Sequence, residues 1–379
     1  TQGAARLSCL GATEDAASER AACSDGTAVV SPSPPIIGRV RSPAFGLRIP
    51  PCRTATEVAD CVRRAEAAGF DVAWIPDSQF LWRDVWATLA VAATNAHAIR
   101  LGTCVTNFET RHASVTAAAA GTLDELAPGR VILGVGTGDS SIKTLGMKPT
   151  KLDRMREQIG LVRTLLAGQE ASFDGRPMRL EAAPRDSVPI YMAANAPNAL
   201  ALAGELCDGV ITLPGLEPEL IRAAVAKVAS GAARADRTLD DFDVCVGTIC
   251  HVTTDEREAA RIVRPYVVAI AQTGGQETLR SAGIDVDPPA ALAGIYPDLS
   301  HAKDWDAAAD AAEEWVSDET ALRYADAFCL VGTPEHCAER LEAAVDAGAT
   351  SFYIRHVSSY TLPEDVLRAY GEWIIPRFR

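Results

Sequence analysis

Four short segments of this 379-residue sequence carry residue types from which a redox or acid–base site can be made. Pro76-Asp77-Ser78-Gln79-Phe80-Leu81-Trp82 sets a carboxylate close to a tryptophan. The acid can exchange a proton, and the indole can flank a flat cofactor. Taken alone, Asp77 reads equally well as a turn or helix-capping residue. Gly102-Thr103-Cys104-Val105-Thr106-Asn107 puts a glycine in an apolar run, which marks a bulge or a close backbone approach. Gly134-Val135-Gly136-Thr137-Gly138-Asp139-Ser140-Ser141 could bring backbone against a ligand, with Asp139 beside the mouth of the pocket. Its spacing differs from the dinucleotide fingerprint, and an acid follows the last glycine directly. Ala193-Ala194-Asn195-Ala196-Pro197-Asn198 has small residues and a proline where a helix begins. Free N–H groups there would form an anion site fit for a phosphate; the same residues also suit an ordinary strand-to-helix joint.

Each segment sits at the end of a predicted strand. Strands are expected at 44–49, 70–75, 99–106, 131–135, 188–192, 209–212, 242–252 and 350–355. Helical periodicity fills most of the intervals, for example over 54–68, where Gly69 supplies the stop. Strand alternating with helix specifies a parallel sheet, and strands that are apolar throughout are covered on both faces. Ala65-Glu66-Ala67-Ala68-Gly69-Phe70 is echoed by Ala343-Ala344-Val345-Asp346-Ala347-Gly348-Ala349 before the last strand, which suits a closed ring of like units. The expected fold is therefore α/β, a (β/α)8 TIM barrel, with chemistry at the C-terminal strand ends. Residues 272–326 fit no unit and are expected to form an insertion before the last strand that caps the pocket.

A hydrophobic content of 48% allows a large core, and a net charge of −14 disfavours nucleic acid. Eight of the ten cysteines (Cys52, Cys61, Cys104, Cys207, Cys245, Cys250, Cys329 and Cys337) stand singly among apolar residues. They read as small buried hydrophobes in a reducing, cytoplasmic setting. Cys245 and Cys250-His251 lack a second ligand pair at zinc spacing, so no metal is expected. No apolar run has membrane-spanning length. Residues 1–43 are rich in Ala, Ser, Thr and Pro and lack signal-peptide character; they are expected to be a disordered or non-native extension ahead of a barrel at 44–379.

Four motifs occur in order: Trp74-Ile75-Pro76-Asp77, Leu101 through Asn107, Thr122-Leu123-Asp124-Glu125-Leu126-Ala127-Pro128-Gly129-Arg130, and Leu133 through Asp139. Together they resemble the luciferase-like oxidoreductase superfamily. The likeness is greatest to its coenzyme F420 branch, which includes methylenetetrahydromethanopterin reductase and the deazaflavin-dependent glucose-6-phosphate dehydrogenases. It runs from Ala44 to the C-terminus and is weakest in the insertion. The resemblance implies that Asp77 lies by the deazaflavin ring and that Trp82 is an active-site tryptophan. It implies a non-prolyl cis peptide at Cys104-Val105 that backs the ring. Thr137, Gly138 and Asp139 match a loop whose acid meets cofactor or substrate, and Ala194, Asn195 and Ala196 match the backbone loop that holds the cofactor phosphate.

Two positions depart from the sugar-phosphate dehydrogenases. Ser78 stands where they carry a histidine base, and Leu213-Pro214-Gly215-Leu216 replaces a run with a phosphate-binding lysine. Both argue against glucose 6-phosphate and for a neutral or apolar small molecule. The expected activity is hydride transfer between coenzyme F420 and that substrate, with Asp139 the first choice for acid–base work, Asp77 the second, and Trp82 and Ser78 completing the catalytic set. An FMN-dependent monooxygenase fed by a separate flavin reductase is the alternative. A non-catalytic flavin-binding relative is a third reading, against which the intact Asp77, Trp82 and Asp139 count. A homodimer is implied by resemblance.

Overall fold

The computed structural model describes residues 42–173, 175–184 and 187–379; the extension expected at 1–43 lies almost wholly outside them. The strands are β1 (Ala44–Arg48), β2 (Val72–Ile75), β3 (Arg100–Thr103), β4 (Val131–Val135), β5 (Ala171–Phe173), β6 (Arg176–Met178), β7 (Ile190–Ala193), β8 (Gly209–Thr212), β9 (Asp243–Val252), β10 (Cys329–Gly332) and β11 (Ser351–Arg355). Parallel pairing runs β9-β11-β1-β2-β3-β4-β7-β8 and returns to β9, closing an eight-stranded barrel. The expected TIM barrel is the fold observed.

Local sequence explains why the repeating unit forms. In the first helix, Ala55–Ala67, the Thr54 side chain accepts from the Glu57 N–H while Glu57 reaches back to the Thr54 N–H. This reciprocal cap satisfies two helix-end donors. Gly69 then takes a φ of 89°, which a side chain would strain, and turns the chain into β2.

The barrel interior is filled by large residues facing small ones. Trp74 lies 6.0 Å from Tyr191 and 6.4 Å from Tyr353, ring to ring. Its indole occupies the space left by glycines on both neighbouring strands. A Cβ on Gly46 would fall 2.3 Å from Trp74 Nε1, and one on Gly102 would fall 2.2 Å from Trp74 Cζ3. The glycine in the third strand is thus required by ring packing inside the barrel.

Three features go beyond the eight units. β5 and β6 form a short antiparallel hairpin. β9 is ten residues long: Asp243–Val246 pairs with β8, Cys245–Ile249 with β11, and its tip, Ile249–Val252, carries the ninth strand β10. The region expected as an insertion contains helices Gln276–Ser281, Trp305–Ala312 and Asp318–Phe328. These pack on helix Glu256–Gln272 around a separate apolar cluster that includes Val263, Val267, Leu279 and Tyr324. Among the described residues no helix is long and apolar enough to cross a membrane.

Candidate active site

A cavity of about 620 Å³ opens at the C-terminal rim of the barrel. Asp77, Trp82, Cys104, Val105, Thr137, Gly138, Asp139, Ala194, Asn195 and Ala196 all line it. They come from the ends of β2, β3, β4 and β7, so the barrel brings together segments that span 120 residues of sequence.

Asp77 sits at the end of β2 with its side chain only 7% exposed. Thr106 Oγ1 donates to its Oδ2 at 2.7 Å, and Arg111 Nε lies 3.7 Å from the same oxygen. Oδ1 makes no hydrogen bond among the described residues. Burial raises the Asp77 carboxyl above its usual range, and the Thr106 and Arg111 contacts oppose that rise without cancelling it.

The peptide between Cys104 and Val105 is cis. Glycines in β4 and just after it make room for it. A Cβ on Gly134 would lie 2.0 Å from the Thr103 carbonyl oxygen, and one on Gly136 would lie 2.7 Å from Val105 Cγ2. Thr103 locks the two strands by donating to the Gly134 carbonyl at 2.7 Å and accepting the Gly134 N–H at 2.9 Å. Gly134 and Gly136 therefore serve the neighbouring strand first; the close spacing of glycines is explained by packing against Val105. Gly138, with a φ of 98°, is the one that requires a glycine backbone.

Asp139 is placed differently from Asp77. Its side chain is 70% exposed and lies 2.5 Å from Lys143 Nζ. The Asp139 carboxylate is solvated and ion-paired, whereas that of Asp77 is buried inside the cavity. Ser78 is the predicted residue that does not line the cavity. It is buried, and its Oγ accepts from the Ser140 hydroxyl at 3.0 Å, which ties the β2 loop to the β4 loop.

On the opposite side of the rim, helix Pro197–Leu206 starts at Ala196 with no side-chain cap. Asn195 turns its amide oxygen away, accepting the Leu213 N–H at 2.7 Å and the Thr212 hydroxyl at 3.2 Å. Small side chains and an uncapped N-terminus leave main-chain donors facing the cavity.

Several wall residues were missed from sequence: Arg48, Lys151, His301, Tyr353 and Arg355. Arg48 and Arg355 were visible as charges at the ends of apolar strands, an unusual placement that carries a signal. His301 comes from the insertion. It lies 6.0 Å from the Trp82 ring and is held by Asp298 at 3.0 Å. Trp82 is fixed in turn, with its indole N–H donating to the Ser359 carbonyl at 2.8 Å.

Fold and rim cavity together define a luciferase-like barrel enzyme. The chain belongs to the luciferase-like monooxygenase family, whose model matches residues 39–351. It is 34% identical over 312 residues to a 5,10-methylenetetrahydromethanopterin reductase of Methanolobus tindarius, covering 81% of this chain and 92% of that protein. It is 30% identical over 349 residues to an F420-dependent glucose-6-phosphate dehydrogenase of Nakamurella multipartita, covering 86% and 93%. The solved structure of the coenzyme F420-dependent tetrahydromethanopterin reductase from Methanopyrus kandleri superposes with a TM-score of 0.70 at 25% identity, over 89% of this chain and all of that one.

Proposed function

We propose that this protein is an oxidoreductase that moves a hydride between coenzyme F420 and a small organic substrate held in the rim cavity. The observation that carries the reading is the convergence of the four strand-end segments on one cavity. The F420-dependent relatives, matched over more than nine-tenths of their length, favour the deazaflavin over FMN.

The residues present fit such a cofactor. The backbone loop at Ala194, Asn195 and Ala196, ahead of an uncapped helix, would hold its phosphate, and Cys104 and Val105 offer a wall for its ring. When bound, the deazaflavin supplies the two-electron hydride chemistry. The chain's own groups supply placement and a proton. Trp82, clamped at Ser359 and flanked by His301, narrows the entrance and limits water. Asp77, buried with its carboxyl raised above the usual range, presents Oδ1 for proton exchange while Oδ2 is occupied by Thr106. Thr137, Gly138 and Asp139 form the outer lip of the cavity.

Spectral titration of the protein with oxidised F420 and with FMN tests the reading. Saturable F420 binding is expected. Tight FMN binding without F420 binding, together with oxygen consumption when a flavin reductase supplies reduced FMN, would instead establish the monooxygenase reading. Homodimer formation is part of the proposal. Helices Val85–Ala93 and Ala113–Leu126 share an apolar face, on which Val115 is 52% and Leu126 44% exposed. Sedimentation of wild type against Val115→Glu should show a dimer lost in the variant.

A further inference from the structure

Arg48 ends β1 and Arg355 ends β11, and these strands are neighbours in the barrel. Both side chains line the cavity. Arg48 is 3% exposed. Its Nη2 donates to Ser359 Oγ at 3.2 Å, and its guanidinium lies 5.2 Å from the Trp82 ring centroid. Its Nη1 is buried and has no partner. Arg355 has a buried Nε that also lacks a partner, and its guanidinium lies 6.0 Å from the Tyr266 ring. Among the described residues neither guanidinium has a carboxylate within ion-pair distance. Two other arginines near the rim do: Arg111 meets Asp77 and Asp84, and Arg154 meets Glu109.

Two adjacent cations, Arg48 buried and Arg355 half-buried, repel each other without a counter-charge and leave buried donors unsatisfied. Burial, with the neighbouring Arg355 charge adding to it, holds Arg48 below the usual arginine range, whereas Tyr266, Tyr353 and Tyr324 carry Arg355 above it against its own burial. Such an arrangement is complete only when an anion enters. The cofactor phosphate is an unsuitable occupant on topological grounds. The phosphate-binding loop follows β7, and β7 lies four strands from β1 around the eight-stranded ring, directly across the barrel.

We infer that Arg48 and Arg355 form an anion subsite for the substrate, which therefore carries a carboxylate or phosphate group. Planar guanidinium forks pair with either group through two parallel N–H donors. The inference rests on the hydride-transfer reading for the word substrate, but not for the anion site itself. It also revises the expectation of a neutral substrate, which rested only on Ser78 and the Leu213–Leu216 run. Those positions lie on other strands and say nothing of the β1 and β11 ends.

Calorimetric titration of the whole protein with benzoate, phenyl phosphate and benzamide tests the site. Benzoate or phenyl phosphate is expected to bind at least about tenfold more tightly than benzamide, as charge-assisted hydrogen bonds require. Whichever of the two binds better identifies the anion class. Arg48→Met and Arg355→Met should each abolish that preference, and Arg48→Lys should recover part of it. Equal binding of benzoate, phenyl phosphate and benzamide, or binding unchanged in both Met variants, overturns the proposal. The same titration on F420-saturated protein separates the occupants: anion binding should persist, and competition with F420 would assign the arginines to the cofactor. If F420 does not bind at all, the proposed function fails, while the cofactor-free titrations still decide the anion site. The wild-type comparison of ligands needs no variant to fold.

Discussion

The Thr106 hydroxyl donates to Asp77 Oδ2 at 2.7 Å across the ends of β3 and β2, inside the rim cavity. This bond fixes one carboxylate oxygen and leaves the other for chemistry. Burial keeps the acid above its ordinary value of 3.8. The folded protein therefore prefers protonated Asp77 more than the unfolded chain does. The resulting destabilisation is absent below the unfolded value and complete once pH exceeds the raised one. Asp77→Asn should raise Tm near neutral pH, with the gain vanishing in acid at about pH 3. It should also lower kcat by about a hundredfold or more. Thermal melts across pH, paired with turnover measurements, check both; a Tm gain independent of pH would reject the burial account.

Ala196 offers a test in which stability and binding move in opposite directions. It is the uncapped N-cap of helix Pro197–Leu206. Ala196→Asp should stabilise the protein by about 1 kcal/mol, because a carboxylate caps free N–H groups and meets the positive end of the helix dipole. The same carboxylate occupies the proposed phosphate site, so F420 affinity should fall at least about tenfold. Unchanged affinity in a more stable variant would place the phosphate elsewhere.

The glycines around Trp74 are a packing requirement. Gly102→Ala puts a methyl group 2.2 Å from the indole. The strand cannot yield without opening the barrel, so the variant should lose about 1–3 kcal/mol in denaturant melts. Replacing Trp74 with Leu in the same chain should recover part of that loss, since the smaller side chain frees the volume.

A pH-dependent element lies outside the cavity, at the tip of β9. His251 Nε2 is 3.1 Å from Glu258 and its Nδ1 is 3.5 Å from Asp365, while His356 is 3.0 Å from Asp365. Burial disfavours charged His251, but the two carboxylates outweigh it and raise its value above 6.5. Asp365 is held well below the carboxylate range by the two histidines, against its own burial. The His251 contribution is full below 6.5 and lost as pH rises through the raised value; the Asp365 contribution is lost only in strong acid. Asp365→Asn should therefore cost about 1 kcal/mol near pH 6 and less near pH 9. Equal losses at both pH values would exclude the coupling.

Much of this molecule was legible because its repeating unit is local. Thr54 and Glu57 close a helix start within four residues, and Gly69 ends the helix beside the next strand. The segments around Asp77, Cys104, Asp139 and Asn195 were legible as strand ends, and a barrel gathers strand ends on one face. Their geometry was not. Asp77 and Asp139 are both acids beside small or polar residues in the sequence. Only the fold buries one at 7% exposure and leaves the other at 70% beside Lys143.

What the sequence determined by itself was the barrel, its rim and the segments on that rim, because side-chain periodicity and turn residues act over a few positions. What the tertiary structure decided was which groups lose water and which meet. Ser78 turned inward to Ser140, Gly102 proved to be space for Trp74, and His301 arrived from the insertion. Arg48 and Arg355 became neighbours only when the last strand closed on the first. Desolvation and pairing energies depend on such long-range contacts, and no spacing along the chain records them.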